Sequence, residues 1–509
     1  MILFRAQKLL RATRGPLAIL LVSAIAAGCF ASSTEIILPG QLAPGDTTAP
    51  PIQREMRGLW VATVRNGDWP SKSSLTPEQQ RAELVDILDR ASAAGFNAII
   101  FHVRPAADAV YKSAFEPWGA MLTGTQGADP GYDPLAFAIE EAHARGMELH
   151  AWVNPFRAGN TADTLKLSHS HVFYERRDLV RVYGRNIWLD PGEPDVQDRA
   201  MRAIRDIVSR YDVDGIHADD YFYPYVENDS AGVAIPFPDD GTFARYGAGA
   251  ARDDWRRANI DRFVERMYRE VHAIKPAVKV GLSPFGIWRP GFPPSVQGLD
   301  AFSSIYADSR KWLQNGWVDY FVPQLYWPIN SPKQSFPALL DWWLAQNVKA
   351  RGVWPGLAAY RVNNGTPSAL GLEEIPDQIR LIRSRASGSG HVLFNTTATL
   401  KRNGGALAST LWSEIYSSGA LVPASAWLDS SRPTAPALRV FGDSVRITPG
   451  EGEVPRWWAI RLRAGGIWTA RILFSDRVAF AVIPTTDRIL VQAVDQAGNA
   501  GEAADWTRH

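Results

Sequence analysis

Between Met56 and Trp427 the chain alternates between two rhythms of polarity. Short runs rich in Val, Ile, Leu and aromatic residues give way to longer stretches in which apolar residues return every three or four positions. The first rhythm suits a strand and the second an amphipathic helix, because strand side chains repeat every two residues and a helix face every ~3.6. RGLWVATV (57–64) predicts a first strand. The helix around EQQRAELVDILDRASAAG follows, with Leu84, Ile87, Leu88 and Ala91 on one face and Gly95 as its stop. The pairing then repeats. FNAIIFHVRP (96–105) precedes DPLAFAIEEAHARG, MELHAWVNPF (147–156) precedes DVQDRAMRAIRDIVSRYD, and VDGIHADDYFYP (213–224) precedes RRANIDRFVERMYREVHAIKP. VKVGLSPFG (278–286) precedes FSSIYADSRKWLQNG, and VDYFVPQLYWP (318–328) precedes FPALLDWWLAQN. GVWPGLAAYRV (352–362) precedes IPDQIRLIRSRA, and GHVLFNTTAT (390–399) precedes GALASTLWSEIYS. Eight strand–helix units predict an α/β chain with a (β/α)8 TIM barrel over residues 54–428. No Gly-rich phosphate turn follows the first strand, so a doubly wound sheet has no support.

After DSSRPTAPA (429–437) the rhythm shortens. SVRITP, RWWAIRLR, ARILFSD and RILVQAVD alternate polar and apolar residues with turn residues between them. Residues 429–509 therefore predict a small β-sandwich of immunoglobulin or fibronectin type III-like form. Such a module either binds a glycan or protein partner or packs on the barrel as a spacer, and the pattern leaves both open.

The N-terminus has a third pattern. Arg5, Lys8, Arg11 and Arg14 precede the apolar run PLAILLVSAIAA, and Ala26-Ala27-Gly28 lead into Cys29, the only cysteine among 509 residues. The run has signal-peptide length and is too short to span a bilayer comfortably. Residues 1–28 resemble a lipoprotein signal peptide, with Cys29 as the lipidated residue. Residues 29–53, rich in Pro, Gly, Ser and Thr, read as a flexible tether. Phe30, not aspartate, follows the cysteine, so the expected address is the outer membrane's inner leaflet, facing the periplasm. A net charge of +1 favours no nucleic-acid partner. The load of 19 Trp, 21 Phe and 15 Tyr suits a core and also suits ligands with flat apolar faces, sugars among them.

Barrel enzymes carry their chemistry at the C-terminal ends of the strands. Those ends hold His102 and Arg104, then His150, Trp152, Asn154 and Arg157, then His217, Asp219, Asp220 and Tyr221, then Gln324, Tyr326 and Trp327, and finally Asn395. Residues two apart share a strand face, so the polar series points toward one interior. The intervening Ile, Val, Ala and Leu face the helices. The strand ends hold no HxxxH or HxH pair, and there is no GxSxG elbow and no P-loop, so no metal or cofactor is expected. An aromatic cleft with carboxyl groups suits glycoside hydrolysis. Asp219 or Asp220 supplies one carboxyl group. The loop PAADAVYKSAFEPWG offers Asp108 and Glu116, and Phe115, Pro117 and Trp118 around Glu116 would raise its pKa as a general acid requires. Glu175 and Asp190 are further candidates.

REMRGLWVATV, FNAIIFHVRPAADAVYKSAFEPW, HAWVNPFR, DGIHADDYFYPY, GLSPFGIWRP and VPQLYWP together resemble the glycosyl-hydrolase-like 10 family across about residues 54 to 425. The resemblance implies a (β/α)8 glycosidase of the cell envelope acting on peptidoglycan glycan strands stripped of stem peptides. Its motifs fall on Arg104, Asp108, Glu116, Asn154, Arg157, Asp219, Asp220, Tyr221, Gln324, Tyr326 and Trp327. The expected assignment has Asp219 as nucleophile or general base and Glu116 as general acid. Asp220, on the opposite parity, is expected to orient a neighbour or face the loop, with the two aspartates exchanging roles if the strand bulges there. His102, Arg104, Asn154, His217 and Gln324 would hold sugar hydroxyl and acetamido groups. Trp152, Tyr221, Tyr326 and Trp327 would stack on sugar rings. A non-catalytic glycan-binding scaffold and a glycosidase of another polysaccharide are the alternatives.

Overall fold

The computed structural model describes residues 48–161, 163–386 and 389–508. The expected signal peptide, Cys29 and most of the tether lie outside the described residues. Among the described residues no helix is long and apolar enough to cross a membrane.

Nine short strands form one parallel sheet: β1 (Met56–Val61), β2 (Ala98–Arg104), β3 (Glu148–Val153), β4 (Gly215–Ala218), β5 (Lys279–Leu282), β6 (Tyr320–Phe321), β7 (Gly352–Val353), β8 (Gly356–Leu357) and β9 (Gly390–Leu393). Their order is β7-β6-β5-β4-β3-β2-β1-β9-β8. The two edges, β7 and β8, are separated in the chain only by Trp354 and Pro355. One stretch, 352–357, thus pairs with β6 at its start and with β9 at its end, and the sheet curls into a barrel-like form. Each expected strand is followed by its helix, from α1 (Pro77–Ala93) and α2 (Pro134–Ala144) through α3 (Pro194–Arg210) and α4 (Arg252–Ile274) to Ala406–Thr410. Local chemistry fixes the helix starts. Thr76 and Gln79 form a reciprocal capping box before Pro77, and Asp133 caps the helix that begins at Pro134.

The apolar strand residues that face outward, such as Ile99, Phe101, Leu149, Ile216, Val280 and Phe321, are buried against the helices in the main core. Inside the sheet, large rings fill the space. A Cβ at Gly281 would overlap the Tyr320 ring, and one at Gly215 would overlap the His150 imidazole, so these glycines admit the two rings. The connection from β3 to α3 carries an antiparallel sheet of Arg157–Gly159, Val180–Tyr183 and Asn186–Leu189 that the periodicity did not announce.

Residues 437–507 form two further antiparallel sheets, one of three strands and one of four, packed about Val445, Ile447, Trp458, Ile460, Ile489 and Val491. This C-terminal unit docks on the end of the barrel where strands begin. Arg456 bonds Asp214 at 2.7 Å, just before β4, and Asp212 at 2.6 Å. The His143 ring stacks on Phe474 at 4.8 Å. Trp427 donates to Asp319 at 2.7 Å, just before β6. Residues 53–54, at the end of the tether stretch, pair with Ala420–Leu421 beside this junction. The C-terminal unit therefore sits away from the mouth where strands end.

Candidate active site

A cavity of about 290 Å³ opens at the C-terminal ends of the strands. Of the residues singled out from sequence, His102, Trp152, Arg157, Asp219, Asp220, Tyr221, Gln324 and Tyr326 line it. Trp60, Ala62, Val64, Tyr225, Ser283, Phe285, Tyr360 and Phe394 complete the wall. A second cavity of about 450 Å³ continues from it, sharing Val64, Arg157, Tyr221 and Tyr225 and adding Arg65, Asn160, Asn186, Trp188 and Glu227. Together they form an elongated cleft.

Asp219 is held by three donors. Asn154 Nδ2 donates to Oδ2 at 2.6 Å, Trp152 Nε1 to the same oxygen at 3.1 Å, and the Tyr221 backbone N–H to Oδ1 at 3.1 Å. Burial pushes its pKa up, and the Arg157 guanidinium and these donors work against that push. Asn154 is itself fixed, since its Oδ1 accepts from His102 Nε2 at 2.8 Å. His102 lies flat on Trp152, ring centroids 3.7 Å apart. Burial, followed by the Arg157 charge, holds His102 well below its ordinary pKa, so it is neutral. Asn154 thus acts behind the cavity, as a brace between His102 and Asp219.

Asp220 differs. Burial, and then the neighbouring Asp219 charge, push it up to about 6, against the Tyr225 phenol, which donates to Oδ2, and the Gln324 side chain. An adjacent carboxyl pair with a raised member can hold one proton near neutrality, and its apparent titrations belong to the pair. The expectation that Asp220 turns to the loop is corrected. Strand β4 stops at Ala218, so strict alternation ends there and both carboxyl groups reach the cavity. In the same turn Tyr221 and Tyr225 line the cleft, whereas Phe222 and Tyr223 are buried in the core.

Glu116 is the main correction. Its carboxylate accepts from Arg104 Nε at 2.7 Å and from Nη2 at 2.6 Å, and it lines neither cavity. Burial pushes it up, but Arg104, and Arg199 at 3.6 Å, hold it below its ordinary value. A carboxylate so neutralised has no proton to give. The remaining Arg104 donors go to the backbone carbonyls of Asn154 and Pro155. The ladder between β2 and β3 slips after His102, so Arg104 stands beside Val153 and not two residues beyond His102 on the same face. Arg104 is therefore a structural cation and not a sugar ligand. Asp108 belongs to the same buried layer. Burial pushes it up to about 6, and Gln126 Nε2 and the Ala106 N–H donate to it.

Three more expected ligands lie elsewhere. His217 is buried one layer below the cavity, bonded to Ser283 Oγ at 2.8 Å and to the Tyr320 hydroxyl at 3.1 Å. Trp327 packs edge-on against Phe285 at 5.7 Å without reaching the cavity. Asn395 caps the short helix Thr396–Leu400, accepting from the Ala398 N–H at 3.2 Å. Ser283 and Phe285 follow β5, in the motif GLSPFG, and the strand-end rule applied to that strand would have found them. Trp60 and Phe394 carry no sequence signal that separates them from core.

The described carboxylates form one group with metal-ligand spacing, Asp429, Glu453 and Asp495, in the C-terminal unit and remote from this cleft. With a neutral His102 and an adjacent Asp pair, the cleft offers acid–base chemistry at a sugar-sized, aromatic-walled site.

A model of the family described as Glycosyl hydrolase-like 10 matches residues 55–369. Glycosyl hydrolase YngK of Bacillus subtilis (strain 168) is 41% identical over 396 residues, covering 76% of this chain and 76% of its own. Glycosyl hydrolase DigH of Escherichia coli (strain K12) is 34% identical over 414 residues, covering 75% of this chain and 92% of its own. Among solved structures, the PgaB (BpsB) glycoside hydrolase domain from Bordetella bronchiseptica aligns with a TM-score of 0.45 at 15% identity, covering 71% of this chain and 99% of that one. The endo-beta-1,4-mannanase from Thermotoga petrophila aligns at 0.40 and 10% identity, covering 90% and 98%.

Proposed function

The chain belongs to the glycosyl hydrolase-like 10 family, and from that premise we propose that it is a lipid-anchored endo-glycosidase of peptidoglycan glycan strands, acting on strands without stem peptides. In this reading the curled sheet is a (β/α)8 barrel, the C-terminal sheets are a fibronectin type III-like module, and Cys29 carries the lipid at the outer membrane. The observation that carries the reading is the pair Asp219 and Asp220 on one wall of an aromatic-lined cleft, with Asp220 pushed up to about 6. Asp220 is the general acid and protonates the leaving oxygen. Asp219, whose carboxylate accepts from three donors, stabilises the positive charge that develops at the anomeric carbon. The aromatic rings Tyr221, Trp60, Trp152 and Tyr326 offer faces to sugar rings. Arg157, stacked over Tyr221 at 3.9 Å, adds a cation to the cleft. The continuation past Tyr221 and Tyr225 leaves room for chain on both sides of the bond, which suits internal cleavage of a polymer.

Digestion of purified sacculi after amidase treatment tests this. The protein should release soluble glycan fragments, and Asp219→Asn should lose on the order of 4 kcal/mol of transition-state stabilisation, about a thousandfold in rate. Binding without release would make the protein a scaffold. Release from another polysaccharide alone, in a glycan panel, would move the substrate and keep the chemistry.

A further inference from the structure

The two usual arrangements for cleaving a glycosidic bond place carboxyl groups on opposite sides of the sugar, about 5–5.5 Å apart for retention or roughly 6.5–9.5 Å for inversion. This cleft does not provide that. Asp219 and Asp220 are neighbours in the chain and enter the cavity from one wall, the end of β4. In the sheet order, β4 and β9 are separated by three strands, β3, β2 and β1, and so lie across the barrel from each other. The wall on the β9 side is Trp60, Ala62, Tyr360 and Phe394, and among the described residues no third carboxylate lines this cavity. Glu227, in the continuation of the cleft, is engaged there, accepting from Asn186 Nδ2 at 2.6 Å and from the Arg185 N–H at 3.2 Å. Asp68, near β1, is spent on structure: its oxygens accept from the Ala62 and Thr397 N–H groups at 2.9 and 2.8 Å. Glu116 is locked to Arg104.

A nucleophile for the far face must then come from the substrate. The cleft carries the means to hold one. Asp219 Oδ1 accepts only the Tyr221 N–H among the described residues. Tyr326 lines the same cavity, and no described group bonds its hydroxyl. A carboxylate acceptor and a phenol donor match the N–H and C=O of an amide. We propose that the sugar on the non-reducing side of the cleaved bond carries a 2-acetamido group, oriented by Asp219 and Tyr326, and that this group attacks the anomeric carbon. This rests on the glycosidase reading and deepens it. Asp220 gives its proton to the glycosidic oxygen as the C1–O bond breaks with its electron pair. The acetamido carbonyl oxygen forms the new bond to C1, giving an oxazolinium ring whose charge Asp219 balances. Water then adds to C1, returns a proton to Asp220 and reopens the ring. Two displacements at C1 leave the configuration retained, with one water consumed.

The test uses the full-length protein and peptide-free glycan oligomers whose 2-amino groups carry acetyl, fluoroacetyl, difluoroacetyl or trifluoroacetyl. Fluorine withdraws electrons from the carbonyl oxygen with little change in size. The rate of bond cleavage should fall stepwise, by about a hundredfold or more across the series, and NMR should show the β-anomer as first product. An N-acetylglucosamine thiazoline should compete with substrate, and Tyr326→Phe should lower kcat more than it raises KM. A rate indifferent to fluorination, or an inverted first product, overturns the inference while leaving a glycosidase. No cleavage of any oligomer overturns both readings.

Discussion

Two buried charged pairs sit at strand ends in this molecule, and they have opposite fates. Arg104, at the end of β2, and Glu116, in the loop that follows, are buried and neutralise each other through two hydrogen bonds. Asp219 and Asp220, after β4, are buried to the same degree and repel each other. Desolvation is the largest influence on both acids, yet Glu116 is held below its ordinary pKa and Asp220 is raised to about 6. The difference is the sign of the neighbour. Apolar surroundings alone, the feature that drew attention to Glu116 in the sequence, do not make a general acid when a guanidinium lies within hydrogen-bond reach.

The sharpest way to break this contrast is to remove one member of each pair. Asp220→Asn should cost about a thousandfold in turnover, ~4 kcal/mol, without loss of stability. Arg104→Met should cost ~3–5 kcal/mol of stability, because Glu116 would remain buried without its counter-ion. Sacculus digestion and urea unfolding measure the two. A stable Arg104→Met protein with normal melting, or an unfolded Asp220→Asn protein, would mean that the roles of the two pairs have been exchanged.

The alternation of parallel strands and helices was legible because each of the eight units carries its own periodicity, and burial on one face demands it. So were Asp219, Trp152 and Tyr326, which fall at or just past strand ends on the expected face. What could not be read is where alternation fails. The slip after His102 sends Arg104 outward, and the end of β4 at Ala218 frees Asp220 to reach the cavity. Both are set by pairing with neighbouring strands, which one strand's own sequence does not record. His217 failed for another reason. It has the right parity but lies one layer too deep, and depth depends on how the strands stagger around the barrel. Tyr360 and Phe394 reach the cleft only through the curl that brings β8 and β9 beside β1.

A smaller effect separates the pairs by pH. Asp220 binds its proton more tightly folded than unfolded, so its contribution to stability is present below about pH 4 and is lost as pH rises through about 6. Asp220→Asn should therefore match the wild type in acid and exceed it above pH 6, by on the order of 2–3 kcal/mol. Glu116 has the opposite sign. Its folded pKa is lowered, so its stabilisation is present above its unfolded pKa near ~4.3 and fades as pH falls through the folded value. Glu116→Gln should be destabilising at pH 7, with a deficit that shrinks in acid. Unfolding curves collected from about pH 2 to about pH 8 on both variants would show the two differences diverging; parallel curves would remove the contrast.

The smallest expected effect tunes Asp220 without touching the reacting atoms. The Tyr225 hydroxyl donates to Asp220 Oδ2, and that bond favours the ionised carboxylate. Tyr225→Phe removes the donor and leaves the ring, so Asp220 should hold its proton to a higher pH. The alkaline limb of the rate profile, set by loss of the acid's proton, should then move upward by up to about one unit, while the rate on the acid side changes by less than about tenfold. Asn154→Ala supplies the complementary shift. It takes a donor from Asp219, so the acid limb, where Asp219 must be ionised, should also move upward. Two limbs moving under two different substitutions would assign one proton to each carboxyl group. A Tyr225→Phe profile that moved its acid limb instead would exchange the roles of Asp219 and Asp220, and the contrast with Glu116 would then attach to Asp219.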